Sequence, residues 1–381
     1  MIRMNRSFGP FCRVLLLLLA AALFPAGAEA HAAASSAGRA EDTAAQKIAE
    51  EEPDVKRIVL GHVGDSYEWH IATAGGREWS LPLPVIVHSP SSGWHCFSAK
   101  RLRGGAEYEG LRIAADGDHA GKIVERQADG SDLRPLDLSI TKTVAGLLLN
   151  SALVVALVLG AARWYRGRKP DAAAPRGVVG LFETLVESLV DDLIEPCVGP
   201  SYRRFAPYLL TVFCFIFLNN LMGLIPFFPG GANVTGNIAV ALVLAVATFL
   251  VVNLSGSRHY WKDIFWPDVP TWLKVPVPII PLIELVGVFT KPFALMIRLF
   301  ANMLAGHAVI LSLTCVVFVT VKMGAAVNAS MTALSVLFSI FMNCLELLVA
   351  FLQAYVFTML SAVFIGLAQE RGGEADAGAE K

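Results

Sequence analysis

The sequence has little charge and no excess of either sign. Of its 381 residues 17% are charged, compared with about 25% in soluble domains. The 31 Lys and Arg residues nearly cancel the 32 Asp and Glu residues, and the net charge is -1. This balance excludes a basic nucleic-acid-binding protein and an acidic disordered chain. Apolar residues crowd into residues 11–28 and the stretch after residue 143, which is typical of an integral membrane protein.

The sequence also lacks the patterns that indicate disulfides, metals or nucleotides. The six cysteines form no CxxC pair and no zinc spacing, and only Cys96 lies in the polar part of the chain. No GxxxxGK[ST] loop is present, so we expect no nucleotide site and no cofactor in this chain. Four histidines of the polar part are spaced irregularly, as surface residues are, and we predict no metal site there: His62, His70, His88 and His95.

Residues 1–30 have the pattern of a secretory signal peptide. Three arginines precede or flank a short apolar core, Val14–Leu23, and Ala28-Glu29-Ala30 is a small-x-small cleavage site before His31. An uncleaved first anchor is the alternative. Either interpretation places the following residues outside the cytoplasm.

Residues 31–140 are polar and are predicted to be an extracytoplasmic segment that is β-rich or partly disordered. The Ala-, Ser- and Glu-rich part up to about Glu52 has the composition of a disordered chain. Short runs of strand-forming residues follow, punctuated by Gly and Pro. The predicted strands are Arg57–Leu60, Trp69–Thr73, Leu83–His88, Leu111–Ala114 and Lys122–Arg126.

Residues 141–369 are predicted to be an all-α polytopic membrane domain. The uncharged stretch Val144–Ala162 is followed at once by a basic cluster, which the positive-inside rule places in the cytoplasm. Gly177–Ile194 has an apolar face opposite an acidic one, which predicts one amphipathic helix at the cytoplasmic interface or packed on protein. We predict four further spans and a cytoplasmic tail, 370–381; the spans are Pro207–Phe227, Asn237–Leu254, Pro276–Val321 and Ala325–Ala368.

The last two apolar stretches are too long for a simple span. A helix of about 45 residues extends about 65 Å, and the hydrocarbon core is only about 30 Å thick. Each stretch must therefore tilt steeply, break or bend. The total of five spans agrees with an exported N-terminus and a cytoplasmic C-terminus.

Ionisable residues inside these two stretches are the main indication of function, because charges in a membrane are costly unless they pair or line water. Residues seven apart share one helix face, so Arg298 lies on the same face as two charged residues before it, over about 21 Å. Nine residues on, His307 lies on the opposite side of an ideal helix and needs a partner on another surface. The ionisable residues are Glu284, Lys291, Arg298, His307 and Glu346, and Gln353 shares a face with Glu346.

The segment Lys291–His307, KPFALMIRLFANMLAGH, resembles the signature of the a subunit of F-type ATP synthases. Asn219–Pro226, Thr235–Ile238 and Glu346–Phe357 resemble further segments of that family, and the resemblance covers about residues 143–370. It implies a proton-translocating subunit of a bacterial inner membrane that works with a ring of c subunits, with b subunits of the peripheral stalk and with other synthase subunits, in lipid and without nucleic acid.

The resemblance also implies roles for individual residues. Arg298 matches the Arg that separates two aqueous half-channels, and Glu284 matches a carboxylate on the cytoplasmic side. Gly223 stands where some members have Asp. We expect His307 and Glu346 to face each other as a proton relay. The residues that match the outer half-channel are Asn302, His307, Glu346 and Gln353.

Two other functions are compatible with parts of the pattern. A cation-coupled secondary transporter also uses intramembrane Arg and Glu residues, although the sequence has no detectable internal repeat. An exported binding module held by a structural membrane anchor would explain residues 31–140 but not the polar residues of the long stretches.

Overall fold

The structure is a computed structural model, and it describes residues 64–74, 77–114, 119–127, 131–166, 175–225, 230–266 and 279–369. The predicted signal peptide, the strand predicted at Arg57–Leu60, His62 and the predicted tail 370–381 lie outside the described residues.

The N-terminal part is a small β module (residues 64–140 as far as they are described). It is called the exported module after the location predicted for it from the sequence. It contains three antiparallel sheets with the strand orders β1-β2, β4-β3-β8 and β5-β6-β7. Its core consists of alternating inward residues, among them Val85, Val87, Leu111 and Ile123. The strands are β1 Glu68–Ala74, β2 Arg77–Pro82, β3 Pro84–Ser89, β4 Gly93–Ser98, β5 Leu111–Ile113, β6 Ile123–Arg126, β7 Asp132–Leu133 and β8 Leu136–Asp137.

Most of the described residues between 142 and 369 are helical, as predicted. Five helical stretches among the described residues are long and apolar enough to cross a membrane, so the chain is a multi-pass membrane protein. The helices are α1 Lys142–Tyr165, α2 Val178–Leu189, α3 Tyr202–Leu224, α4 Ile238–Ser255, α5 Arg258–Phe265, α6 Ile279–Thr320 and α7 Ala325–Gln369.

The predicted interfacial helix is α2, and it is joined to α3 without a loop. A π-turn, Val190–Ile194, a helical turn, Glu195–Val198, and a 3-10 turn, Gly199–Ser201, connect the two helices. Leu189, Leu193, Ile194 and Val198 of this segment are buried in the core, and the connecting turns contact α3 and α7. A Cβ on Gly366 of α7 would lie 2.1 Å from the carbonyl oxygen of Cys197, so the two backbones are in direct contact. Of the two arrangements considered for this helix, packing on protein is therefore the one found.

Helices α6 and α7 form a long antiparallel hairpin. They contain 42 and 45 residues, about 63 Å and 68 Å of helix, and both are continuous. A break is therefore not how the chain accommodates these lengths. Pro292 lies inside α6, and the helix continues through it because α4 and α7 pack against α6 there.

Candidate functional site

The first part of the site is a contact between α6 and α7. Nδ1 of His307 is hydrogen-bonded to Oε1 of Glu346, so the predicted contact is present. Glu346 is only 5% exposed. A Cβ on Gly306 would lie 3.0 Å from Oε1 of Glu346, so the glycine leaves room for the carboxylate. The chain thus buries an imidazole and a carboxylate together, as charge and hydrogen bonding require in an apolar interior.

A second pair lies in the same hairpin, between His307 and Arg298 along α6. The side-chain amide of Asn302 donates to the carbonyl oxygen of Gln353 over 2.9 Å. Gln353 is 4% exposed, and its own amide nitrogen has no acceptor among the described residues. A buried N–H of this kind is what ordered water usually satisfies in proteins.

Helix α3 and the loop after it close the site on the other side. The amide of Asn220 donates to the carbonyl of Ala350, and Thr235 donates to Oδ1 of Asn220 over 2.6 Å. A Cβ on Gly223 would lie 3.6 Å from Nε2 of His307, so Gly223 faces the imidazole.

Sequence reasoning missed two polar residues of this network. Thr235 lies in a segment that resembles the family, but the sequence alone assigned it no role. Asn150 was not predicted to be part of the site. Asn150 donates to Asn219 over 2.9 Å and joins α1 to α3. An amide in an otherwise apolar span was the available signal for Asn150, since such groups form hydrogen bonds between membrane helices.

Arg298 lies on a different surface from His307, as the helical spacing predicts. Its side chain is exposed, and it makes no ion pair or hydrogen bond with any described residue. Beside it on the helix surface, Ala294, Ala301 and Ala305 are also exposed, and the adjacent Ile297 is 38% accessible. An unpaired guanidinium thus sits in an uncovered apolar surface near the middle of the helix.

Before Arg298, α6 borders a small crevice whose walls are mostly apolar. It is lined by side chains of α4, α5, α6 and α7, and the polar ones are Thr248, Asn253, Tyr260 and Lys291. The ammonium of Lys291 lies 5.7 Å from the ring centre of Phe364. Burial raises the pKa of the Tyr260 hydroxyl, and the negative charge of Glu284 raises it further, so Glu284 lies close to this crevice. Glu284 itself is exposed.

No group of three or more potential metal ligands occurs in the part of the chain that the structure describes. Two of the four histidines have local partners instead. The ring of His88 packs edge-on against Trp94, and His95 contacts Glu109.

A family model described as ATP synthase A chain matches residues 148–366. The chain belongs to this family. A second model, described as a domain of unknown function, matches residues 58–138, which is most of the exported module.

Several curated relatives belong to the same ATP synthase family. The chain is 47% identical over 242 residues to ATP synthase subunit a 2 of Chlorobaculum tepidum, which covers 61% of this chain and 64% of the relative. It is 45% identical to ATP synthase subunit a of Chlorobium phaeobacteroides, over 63% of this chain and 68% of the relative. A longer match, 34% identical over 333 residues, joins 82% of this chain to 80% of ATP synthase subunit a of Anaeromyxobacter dehalogenans. Membership in this family decides against the secondary transporter and the anchored binding module.

Proposed function

We propose that the chain is the proton-translocating stator subunit of an F-type ATP synthase, with two aqueous half-channels separated by Arg298. The observation that carries the proposal is the position of Arg298, exposed and unpaired within an apolar face. An isolated charge in lipid is costly, so a partner outside this chain must neutralise it. A carboxylate on a rotating ring of c subunits is a partner of the required charge.

The chemistry of Arg suits a barrier between two half-channels. A guanidinium stays protonated in proteins, so it holds a fixed positive charge and does not pass protons. It favours the deprotonated ring carboxylate as that group passes. Each proton that crosses a potential of 100 mV carries about 2.3 kcal/mol, which a direct leak between the half-channels would dissipate.

The outer half-channel comprises the two polar pairs between α6 and α7. Along α6, His307 lies about 7.5 Å from Asn302, which lies about 6 Å from Arg298. Imidazole exchanges protons near neutral pH, and Glu346 is its contact partner. Protons therefore pass from the His307–Glu346 pair, past the Asn302–Gln353 pair, to the ring carboxylate beside Arg298.

The inner half-channel begins at the crevice beside Tyr260. Glu284 lies near it, in the first turns of α6, and is the one carboxylate of that helix. It offers a proton acceptor on the cytoplasmic side of Arg298.

The topology proposed here has the exported module outside a bacterial inner membrane and the end of α7 in the cytoplasm. Two native cysteines report on it, because Cys96 is exposed in β4 and Cys197 lies between α2 and α3. An impermeant maleimide applied from outside should label Cys96 and should reach Cys197 only after permeabilisation. The reverse pattern would exchange the two half-channels. The c subunits, the b subunits of the peripheral stalk and other synthase subunits are the proposed partners.

The decisive experiment is ATP-driven proton pumping by reconstituted complexes that contain Arg298→Ala. We expect pumping to be abolished while ATP hydrolysis by the soluble sector persists. Arg298→Lys should also be severely impaired, since an ammonium lacks the planar fork of donors. Arg204→Ala is the matched control, because it removes another exposed arginine, in the first turn of α3. Normal pumping by a fully assembled Arg298→Ala complex would refute the proposal.

A further inference from the structure

The exported module contacts the membrane domain at one loop, here called the outer loop (residues 230–237). Trp69 of β1 is only 4% exposed, and it packs in one cluster with Ala232 and Val234 of this loop. Its indole N–H donates to the carbonyl of Gly230 over 3.2 Å. Because the buried indole ring packs on the loop and also donates this hydrogen bond, it fixes the position of the loop against the module.

The first turn of α1 is attached to the module in the same region. The carbonyl of Ser66 accepts from the backbone N–H of Lys142, and Oδ1 of Asp65 accepts from the N–H of Thr143 over 3.0 Å. A residue far earlier in the chain therefore caps this helix. One turn further, a Cβ on Gly146 would lie 2.6 Å from the Cβ of Ala232, so α1 presses directly on the outer loop.

The outer loop in turn borders the proposed proton path. A Cβ on Gly223 would lie 3.7 Å from the carbonyl oxygen of Ala232 on one side and 3.6 Å from Nε2 of His307 on the other. Thr235, at the far end of the loop, is hydrogen-bonded to Asn220, which in turn is bonded to Ala350 of α7. Ala350 lies one turn from Glu346. The loop thus reaches His307 through Gly223, and it reaches the turn of α7 that carries Glu346 through Asn220.

We propose that the exported module is a clamp on the outer loop, and that Trp69 is a positioning residue which keeps His307 in contact with Glu346. The proposal rests on the proposed function, because it assigns His307 to the outer half-channel. It gives the module of unknown function a specific action, which is to hold the outer end of the proton path closed around its imidazole. The interaction surface is intramolecular, and its occupant is the loop seen in contact with Trp69.

The test is a double-mutant cycle in the assembled complex. Passive proton flux is measured in vesicles stripped of the soluble ATPase sector, for Trp69→Ala, His307→Ala and the double variant. The driving force is set so that His307→Ala still conducts. We expect Trp69→Ala to lower the flux about ten-fold, since small displacements of a reacting group have effects of this size. In the His307→Ala background, Trp69→Ala should lower it no further.

Two variants separate this action from simple misfolding. Trp69→Phe keeps an aromatic ring in the cluster and should restore most of the flux. Trp79→Ala removes a tryptophan from the same hairpin that is 64% exposed, and it should conduct like the wild type at equal subunit content.

The outcomes distinguish the clamp from the relay. If Trp69→Ala conducts normally, or if its effect adds fully to that of His307→Ala, the clamp is overturned and the relay stands. If His307→Ala itself conducts normally, the relay fails, and the clamp fails with it. If Trp69→Ala fails to assemble, the same cycle with Trp69→Leu, which keeps an apolar side chain but loses the indole ring and its N–H, decides, and additivity there overturns the clamp.

Discussion

The two halves of the α6–α7 hairpin treat their polar residues differently. In the outer half, His307 and Asn302 each find a partner on α7, and those partners are buried. In the inner half, Glu284 and Arg298 are exposed, and neither forms an ion pair within the described residues. The polar residues of the outer half have their partners within the chain, whereas Glu284 and Arg298 have no ion-pair partner in the part that the structure describes.

This difference indicates which surface of the hairpin contacts other subunits of the complex. A paired polar group can stay buried in one chain, whereas an unpaired charge on an apolar surface needs water or another protein. The outer half therefore suits a fixed relay, and the face around Arg298 suits a moving partner. We therefore expect the effects of substituting two paired residues of the outer half to be non-additive. Substitutions in the inner half should act independently of one another.

After the loss expected for Arg298→Ala, the largest effect is expected at the relay. His307→Ala and Glu346→Ala should each slow proton flux strongly, and the double variant should be little worse, because either survivor has lost its partner. The exchange of His307→Glu with Glu346→His should conduct better than His307→Glu alone, which places two carboxylates together. Passive flux in vesicles stripped of the ATPase sector measures all four. Equal conduction by the exchange and the single His307→Glu change would rule out a relay.

A smaller effect is expected for the amide pair. Gln353→Leu keeps the side-chain volume roughly constant and removes the bond to Asn302. We expect about a five-fold loss of flux, which corresponds to a hydrogen bond of about 1 kcal/mol. Asn343→Leu on the same helix is the control, since the amide of Asn343 only bonds to the backbone of Ser339. Equal loss in both variants would mean that any polar change in α7 impairs flux.

The smallest effect is expected at Glu284. Glu284→Gln removes an exposed charge that water can partly replace, so flux should fall by only about two-fold. It should also lower the pKa of Tyr260 but leave it above the ordinary value, because burial is the larger cause of the shift. Tyrosine-selective NMR titration would follow this change, with Asp263→Asn in α5 as the control. An unchanged Tyr260 pKa would separate Glu284 from the crevice.

The sequence predicted the helices better than the strands. Long apolar stretches predict α6 and α7 because few other structures accommodate them. β2 and β4 were missed, since Arg77–Pro82 and Gly93–Ser98 mix polar residues with the aromatic ones and only cross-strand pairing stabilises them. The short helix α5 was missed because its eight residues, little more than two turns, are too few to establish a helical repeat.

Within the site, the family resemblance identified candidate residues, whereas the hydrogen bonds between them depend on the fold. The contact between His307 and Glu346 was expected from complementary chemistry on two long helices. The bonds of Thr235 with Asn220 and of Asn150 with Asn219 join elements far apart in sequence, which local patterns do not specify. The hydrogen bond from Trp69 to Gly230 likewise joins residues 161 apart in the sequence, so local patterns do not specify it either.

The central claim is that Arg298 is unpaired because its partner is on a rotating ring. Cysteine crosslinking in the assembled complex tests this directly, with Ala294→Cys and Ala301→Cys on the exposed face around Arg298. Val155→Cys is the control, because it is 54% exposed on α1, away from that face. The account predicts disulfide adducts with ring cysteines placed beside the ion-binding carboxylate from positions 294 and 301, and none from position 155. Absence of ring adducts at 294 and 301 in a complex that pumps protons would contradict it.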